Sequence, residues 1–259
     1  MQEIPKEEKL NVAIVGAGNV GLHLHRKLQQ LNYRSSLFGR SSSNLEFFGE
    51  NHRVETLNNL PKHQVDIVFL CVSDDAIADC SKAVGDTTAL VVHVSGTVDI
   101  AALTNPNKGV CYFFQSFSKT QKEVDLSKIT AYLEANQPKS LSILKKLVSD
   151  LGSTVVEIKS EQRLKLHLCG VLVNNFGNQL LALSELLLKD AGLGLDHLAS
   201  LYSQTFAKAT DLGAKNAQTG PALRGDFSTI TKHLDILSKL DEDWAEIYRL
   251  ISKKIKESK

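Results

Sequence analysis

The stretch Asn11-Val12-Ala13-Ile14-Val15-Gly16-Ala17-Gly18-Asn19-Val20-Gly21 decides the fold. Asn11–Val15 is a short apolar run that stops at a glycine. From Asn19 onward, Val20, Leu24, Leu28 and Leu31 recur at helical spacing. A strand that turns directly into a helix through G-x-G-x-x-G opens a βαβ unit and can bind a dinucleotide. Gly16 allows the tight turn, Gly18 lets the backbone approach a pyrophosphate, and Gly21 lets helix and strand pack closely. The free N–H groups and the positive dipole end at the helix start, where Asn19 and Val20 stand, favour phosphate. The plain alternative is a glycine-rich turn with no ligand. The strand before the motif and the helix after it weigh against that.

The rest of the first half has the same grammar. Arg34–Phe38 is a second short run, while Val65–Val72 and Ala89–Val94 are continuous apolar runs rich in β-branched residues. Such runs read as parallel strands covered on both faces. Asp74 to Val84 reads as a helix between them. Later strands are predicted at Val110–Gln115, Ile129–Leu133 and Thr154–Ile158, with a helix from Pro138 to Leu151. Alternating strands and helices imply a doubly wound α/β sheet of the Rossmann type. From about Ser160 the strand pattern stops, and helices are predicted at roughly 161–190, 196–213, 226–239 and 241–257, with Asp196 and Asp226 as N-caps. The predicted division is a sheet domain over 1–159 and an all-helical domain over 160–259.

The strand ends bear on the cofactor. An NAD site usually places an acid about 20 residues beyond the glycines to bind the ribose 2′-hydroxyl. Here Phe38-Gly39 is followed by Arg40, Ser41, Ser42 and Ser43, with no acid before Glu46. A guanidinium and several hydroxyls suit a 2′-phosphate, so NADP is the expected cofactor; the alternative is a solvated Arg40 beside serines that cap the next helix. Ligands in such sheets bind beyond the carboxyl ends of the strands. Cys71, Val72 and Ser73 at one end and Ser95 at another therefore join the candidate cofactor residues. His93 reads as a satisfied core histidine, the alternative being a catalytic role.

Composition sets the outer bounds. The chain has 259 residues, 42% hydrophobic and 23% charged, with a formal net charge of +1. No basic excess argues for nucleic acid or an anionic membrane surface. Cys71, Cys80, Cys111 and Cys169 match no zinc or redox spacing, and no metal site is expected. The N-terminus has no apolar core of a secretory signal, so a reducing cytoplasm is the expected compartment. The apolar stretch Leu164–Leu188 is broken by His167, Asn174, Asn175, Asn178, Gln179 and Glu185, and reads as a buried helix instead of a membrane span. Its leucines fall on nearly every side, which predicts a homodimer through the helical domain.

Five segments carry a family resemblance: GAGNVG at 16–21, HVSGT at 93–97, QSF at 115–117, the segment His167 to Phe176, and TGPALRGD at 219–226. On these the chain resembles NADP oxidoreductases that join a Rossmann-like domain to a helical domain of unknown function. Pyrroline-5-carboxylate reductases, ketopantoate reductases, and 6-phosphogluconate and 3-hydroxyacid dehydrogenases are more distantly similar. The resemblance implies a C-terminal domain like that of 6-phosphogluconate dehydrogenase. In one respect the chain departs: many such proteins have His-Pro or Tyr-Pro-Leu before the Gln-Ser/Thr-Phe, and this one has Tyr112-Phe113-Phe114. A histidine acid–base role at that point is not available.

Hydride transfer to a carbonyl or imine needs a proton donor and a group that polarises the bond. His167, Val171, Asn174, Asn175 and Asn178 share one helix face. In the proteins it resembles, this helix carries a Lys or His and an Asn one to two turns apart, and His167 with Asn175 matches that arrangement. His167, Asn175 and Arg224 are the catalytic candidates, Arg224 for its bidentate fit to an anionic group. The alternatives are an interface network for the first two and an ion pair with Asp226 for Arg224. Lys165 is a second candidate acid, or a solvated lysine. The expected activity is NADP(H)-dependent oxidation or reduction of a small, anionic carbonyl or imine compound. The competing expectation is an NADP-binding sensor that has lost turnover.

Overall fold

The computed structural model describes residues 9–39, 54–118 and 123–258. These form two compact units, the first up to Gly177 and the second from Asn178.

In the first unit, β1 (Asn11–Val15) leads into α1 (Asn19–Gln30), β2 (Arg34–Phe38) and a two-residue β3 (Val54–Glu55). Then come β4 (Ile67–Leu70), a 3₁₀ turn at Asp74–Ala76 with α2 (Ile77–Val84), β5 (Leu90–His93) and β6 (Lys108–Phe113). The unit continues with β7 (Thr130–Ala135), α3 (Pro138–Asp150), β8 (Thr154–Glu157) and α4 (Ser160–Gly170). The strands lie in the order β3-β2-β1-β4-β5-β6-β7-β8. Pairing is parallel from β3 to β6, antiparallel between β6 and β7, and parallel between β7 and β8. This is the doubly wound sheet expected from the alternating runs, with β3 as an addition too short to show in the pattern.

Period-two alternation explains why the central strands are continuously apolar. Val12 and Ile14 of β1 enter one core with Leu24, Leu28, Phe69, Val92 and Leu144. Ala13 and Val15 enter the opposite core with Val68, Leu70, Ile77 and Val91. Each strand therefore buries both faces. All four residues of β4 and of β5 are buried, including His93.

Helical backbone continues from α4 through a π-helix at Val171–Phe176 into α5 (Gly177–Asp190). The second unit adds α6 (Ala199–Leu212), short α7 (Ala214–Ala217) and α8 (Pro221–Arg224), then α9 (Phe227–Leu240) and α10 (Glu242–Glu257). Asp226 caps α9 as expected, its carboxylate accepting from the Thr229 N–H at 3.1 Å. Asp196 caps no helix; it lies inside a 3₁₀ turn at Leu195–Leu198. The chain alone does not bury the 164–188 helix as its composition predicts. No residue of α5 is buried, and Leu168, Leu172, Val173 and Phe176 are each more than half exposed.

Candidate active site

The glycine loop has three glycines with three different reasons. Gly16 has φ +109°, and a Cβ there would lie 2.3 Å from the Cys71 carbonyl oxygen. At Gly21 a Cβ would lie 2.1 Å from the Gly16 carbonyl oxygen. Both are therefore glycine for internal packing. A Cβ at Gly18 meets only the Cys71 oxygen, at 3.9 Å, so the loop faces open space there. Gly18 caps α1 without a side chain, and the first turn of α1 has no acidic residue. Its terminal N–H groups and dipole thus remain available to an anion. These residues fit a pyrophosphate. Asn19 Nδ2 donates to the Phe117 carbonyl at 2.8 Å, which ties the start of α1 to the segment after β6.

The neighbouring strand ends are built more tightly. Ser95 is buried, and its Oγ accepts from the N–H groups of Thr97 at 3.0 Å and Val98 at 3.1 Å. Thr97 donates in turn to Asp74, which joins the loops after β4 and β5. His93 is fully buried, and its Nδ1 accepts from the Ser95 N–H at 3.2 Å. Burial, helped by the nearby Arg163 charge, pushes its imidazole down to about 4. It lies in the core as expected, but it is not fully satisfied, because its buried Nε2 has no hydrogen-bond partner among the described residues. Burial pushes the Cys71 thiol up to about 12, so Cys71 contributes its backbone to the loop and no thiolate.

Helix α4 is fastened to this sheet by Arg163, whose side chain is 1% exposed. Its Nη1 donates to Glu134 at 2.7 Å, and its Nη2 donates to the Val98 carbonyl and to Ser160 Oγ. Ser160 Oγ also donates to Glu134 at 2.6 Å. One helical turn beyond Arg163 comes His167. Its Nδ1 lies 3.1 Å from the Tyr112 hydroxyl. Gly96 and Gly170 make the room: a Cβ at Gly96 would lie 2.6 Å from His167 Nδ1, and one at Gly170 2.8 Å from the Phe114 ring. A cavity of about 330 Å³ opens here, lined by Tyr112, Phe114, Gln115, Ser116, His167, Asn174 and Asn175 among others. The two asparagines come from the π-helix, a rare element that recurs at functional sites.

The expected residues therefore fall into three groups. Gly16, Gly18, Asn19, Val20, Gly21, Cys71, Val72, Ser73 and Ser95 lie on the loop and strand ends of one sheet edge, and His167 and Asn175 share the cavity. Arg224 belongs to the second unit, at the end of α8. There the TGPALRGD segment serves a helix joint: Gly220 at φ +109° precedes Pro221 in the first turn of α8, Gly225 is left-handed, and Asp226 caps α9. Arg40, Ser41 and Ser42 lie outside the described residues. Lys165 is exposed and paired with Glu161 at 2.8 Å, the solvated reading.

Sequence reasoning passed over Tyr112, Gln115, Ser116 and Arg163 as site residues. Tyr112 was legible only as a departure from a histidine, although His167 is brought back to it in space. Arg163, in a polar helix start, carried no signal of burial.

A glycine cradle and a polar cavity on one edge of a mostly parallel doubly wound sheet define a Rossmann-type, dinucleotide-dependent class of protein. Comparison with solved structures narrows this. A "putative NADP oxidoreductase" from Bacteroides fragilis is 30% identical, with 96% of this chain and 98% of that one covered and a TM-score of 0.85. A protein from Thermotoga maritima is 22% identical over 95% of this chain and 97% of that one, with a TM-score of 0.67. A Plasmodium falciparum pyrroline carboxylate reductase, solved with NADP bound, is 13% identical over 97% and 100% of the two chains at a TM-score of 0.56, a likeness of fold. Residues 129–255 match a family described as a domain of unknown function, DUF2520. No curated protein matches. The chain belongs to the NADP oxidoreductase family represented by the Bacteroides protein.

Proposed function

We propose that the protein is an NADP(H)-dependent oxidoreductase of a small carbonyl or imine compound that carries an anionic group. One observation carries the reading: the open, uncapped glycine cradle and the His167–Tyr112 cavity stand on the same sheet edge, joined by the Asn19–Phe117 hydrogen bond. Gly16, Gly18 and the first turn of α1 hold the pyrophosphate; Arg40, Ser41 and Ser42 hold the 2′-phosphate. When bound, the nicotinamide supplies or accepts hydride. His167 serves the proton side of the reaction. Asn175 hydrogen-bonds the substrate's oxygen or nitrogen, and Arg224 takes its carboxylate or similar anion.

The test begins with the cofactor. Hydrogen bonds to charged groups contribute about 1.5–3 kcal/mol, so NADPH binds roughly 10- to 150-fold more tightly than NADH. Arg40→Asp removes that preference, and equal affinities in the parent protein overturn it. Turnover is then followed by NADPH oxidation over keto acids and cyclic imines. Arg224→Ala raises KM for anionic substrates and leaves NADPH affinity unchanged. Tight NADPH binding with no turnover on any substrate identifies a sensor instead.

We also propose a homodimer through the second unit. Support comes from its exposed apolar side chains, among them Leu201, Phe206 at 76% exposure, Leu212 and Leu250. Monomeric soluble domains rarely expose so much in one region. No disulfide joins the four cysteines, which fits the reducing cytoplasm we propose. No described helix is long and apolar enough to cross a membrane.

A further inference from the structure

We infer that Tyr112 is a positioning residue that acts through His167: its hydroxyl donates to Nδ1, holds the ring as the Nε2–H tautomer, and thereby makes Nε2 the proton-donating atom of the site. The inference deepens the proposed function and rests on it.

The geometry pairs the Tyr112 hydroxyl with Nδ1, and the donating direction is what we infer. Tyr112 Oη lies 3.1 Å from Nδ1. A phenol can donate or accept, and a neutral imidazole has one nitrogen of each kind. The Nδ1 edge of the ring is pressed onto Gly96, so closely that a Cβ there would lie 2.6 Å from Nδ1 and 2.9 Å from Tyr112 Cζ. This is the sheet side of the ring. The hydroxyl is the hydrogen-bond partner of Nδ1 among the described residues. Burial pushes the Tyr112 phenol up, against a smaller opposing effect of Arg163, so the hydroxyl keeps its proton and has it to give. Which imidazole nitrogen carries the proton is set by the hydrogen bond the other makes. With Nδ1 accepting, the proton sits on Nε2, across the ring from Gly96.

Two features make the arrangement productive. Arg163, one turn before His167, is anchored to Glu134 and the Val98 carbonyl, so the turn of α4 that carries the imidazole is held against the sheet. Gln115, Asn174 and Asn175 line the same cavity and can hold a carbonyl or imine by their amides. As the C=O or C=N carbon gains hydride, its π electron pair moves onto oxygen or nitrogen. That atom takes the proton from Nε2. Water then returns a proton to Nε2, while the Tyr112 phenol, held protonated by burial, keeps its hydrogen bond to Nδ1 throughout. Tyr112 and His167 are both only part-buried, which leaves that path open. The imidazole of the cavity is thus delivered from α4 and seated against Tyr112 of β6.

The test is nitrogen NMR of the full-length protein with ¹⁵N-labelled histidines, the His167 signals being identified by their loss in His167→Gln. The parent protein should show His167 protonated at Nε2, with Nδ1 shifted upfield as a hydrogen-bond acceptor. Tyr112→Phe should move Nδ1 downfield. It should also lower kcat about tenfold, less than the roughly 10²- to 10⁴-fold that positioned proton transfer itself contributes, with KM and NADPH affinity unchanged. Protonation at Nδ1 in the parent protein overturns the inference, and that measurement needs no variant. A Tyr112→Phe protein with the same Nδ1 signal and the same kcat overturns it equally. Failure of the parent protein to bind NADPH is a separate outcome: it removes the oxidoreductase reading, while the tautomer is still read directly.

Discussion

The two units differ in how they are held together. The first has two cores, one on each face of the sheet, and its central strands β1, β4 and β5 are buried almost without interruption. In the second, the buried hydrophobic residues are Ala222, Leu237 and Ala245 among the described residues, while leucines, isoleucines and phenylalanines stand exposed. A parallel sheet must be covered on both faces by its own helices, so the first unit closes within one chain. A few amphipathic helices have no such obligation, and their apolar side chains stand exposed on the single chain. The sheet's central strands find their cover within one chain, whereas the exposed apolar side chains of the second unit support the proposed dimer.

The sharpest way to break the first half of that comparison is Arg163→Ala. It leaves Glu134 partly buried without its cation and frees α4 from the sheet. Removing one partner of a buried ion pair costs about 3–5 kcal/mol. Urea unfolding should show a loss of that size, and a loss below about 1 kcal/mol would mean that α4 is not clamped.

A second test reads the core through pH. His93 titrates at about 4 when folded and at about 6.5 in an unfolded chain. Between those values the unfolded state binds a proton that the folded state refuses. Stability therefore falls as pH falls through that window, by up to about 1.4 kcal/mol per pH unit and roughly 3 kcal/mol in all. Urea midpoints across the window should drop in the parent protein and drop less in His93→Gln. Equal slopes would remove His93 as the cause.

The second half of the comparison is tested at Phe206. If a second copy covers the exposed face, Phe206→Asp should weaken the dimer by about 2 kcal/mol or more, the scale of an interface hot spot. Sedimentation should show a dimer for the parent and a monomer for the variant at micromolar concentration. A monomeric parent protein ends the proposal. The smallest effect is expected at Asp226, whose carboxylate accepts from the backbone and hydroxyl of Thr229. Asp226→Ala should cost about 1 kcal/mol of thermal stability, as loss of an N-cap does.

Sequence by itself determined the sheet and the cradle. Apolar runs of β-branched residues and a G-x-G-x-x-G at a strand end depend on local sterics: Gly16 at φ +109° is a requirement of its own turn. The N-cap at Asp226 was readable for the same reason. Asparagines on one helix face were readable as site candidates, but their role as joint lining of one cavity with Tyr112 was not. That role comes from the π-helix at Val171–Phe176, which no periodicity of 3.6 foretells. Only the tertiary structure decided the active partners. Tyr112 and His167 are 55 residues apart, and Arg163 and Glu134 are 29 apart. Neither pair has a sequence pattern, because their closeness depends on how α4 packs across β6 and β7. Gly96 permits that approach, and it is a glycine for the sake of an imidazole from a distant helix.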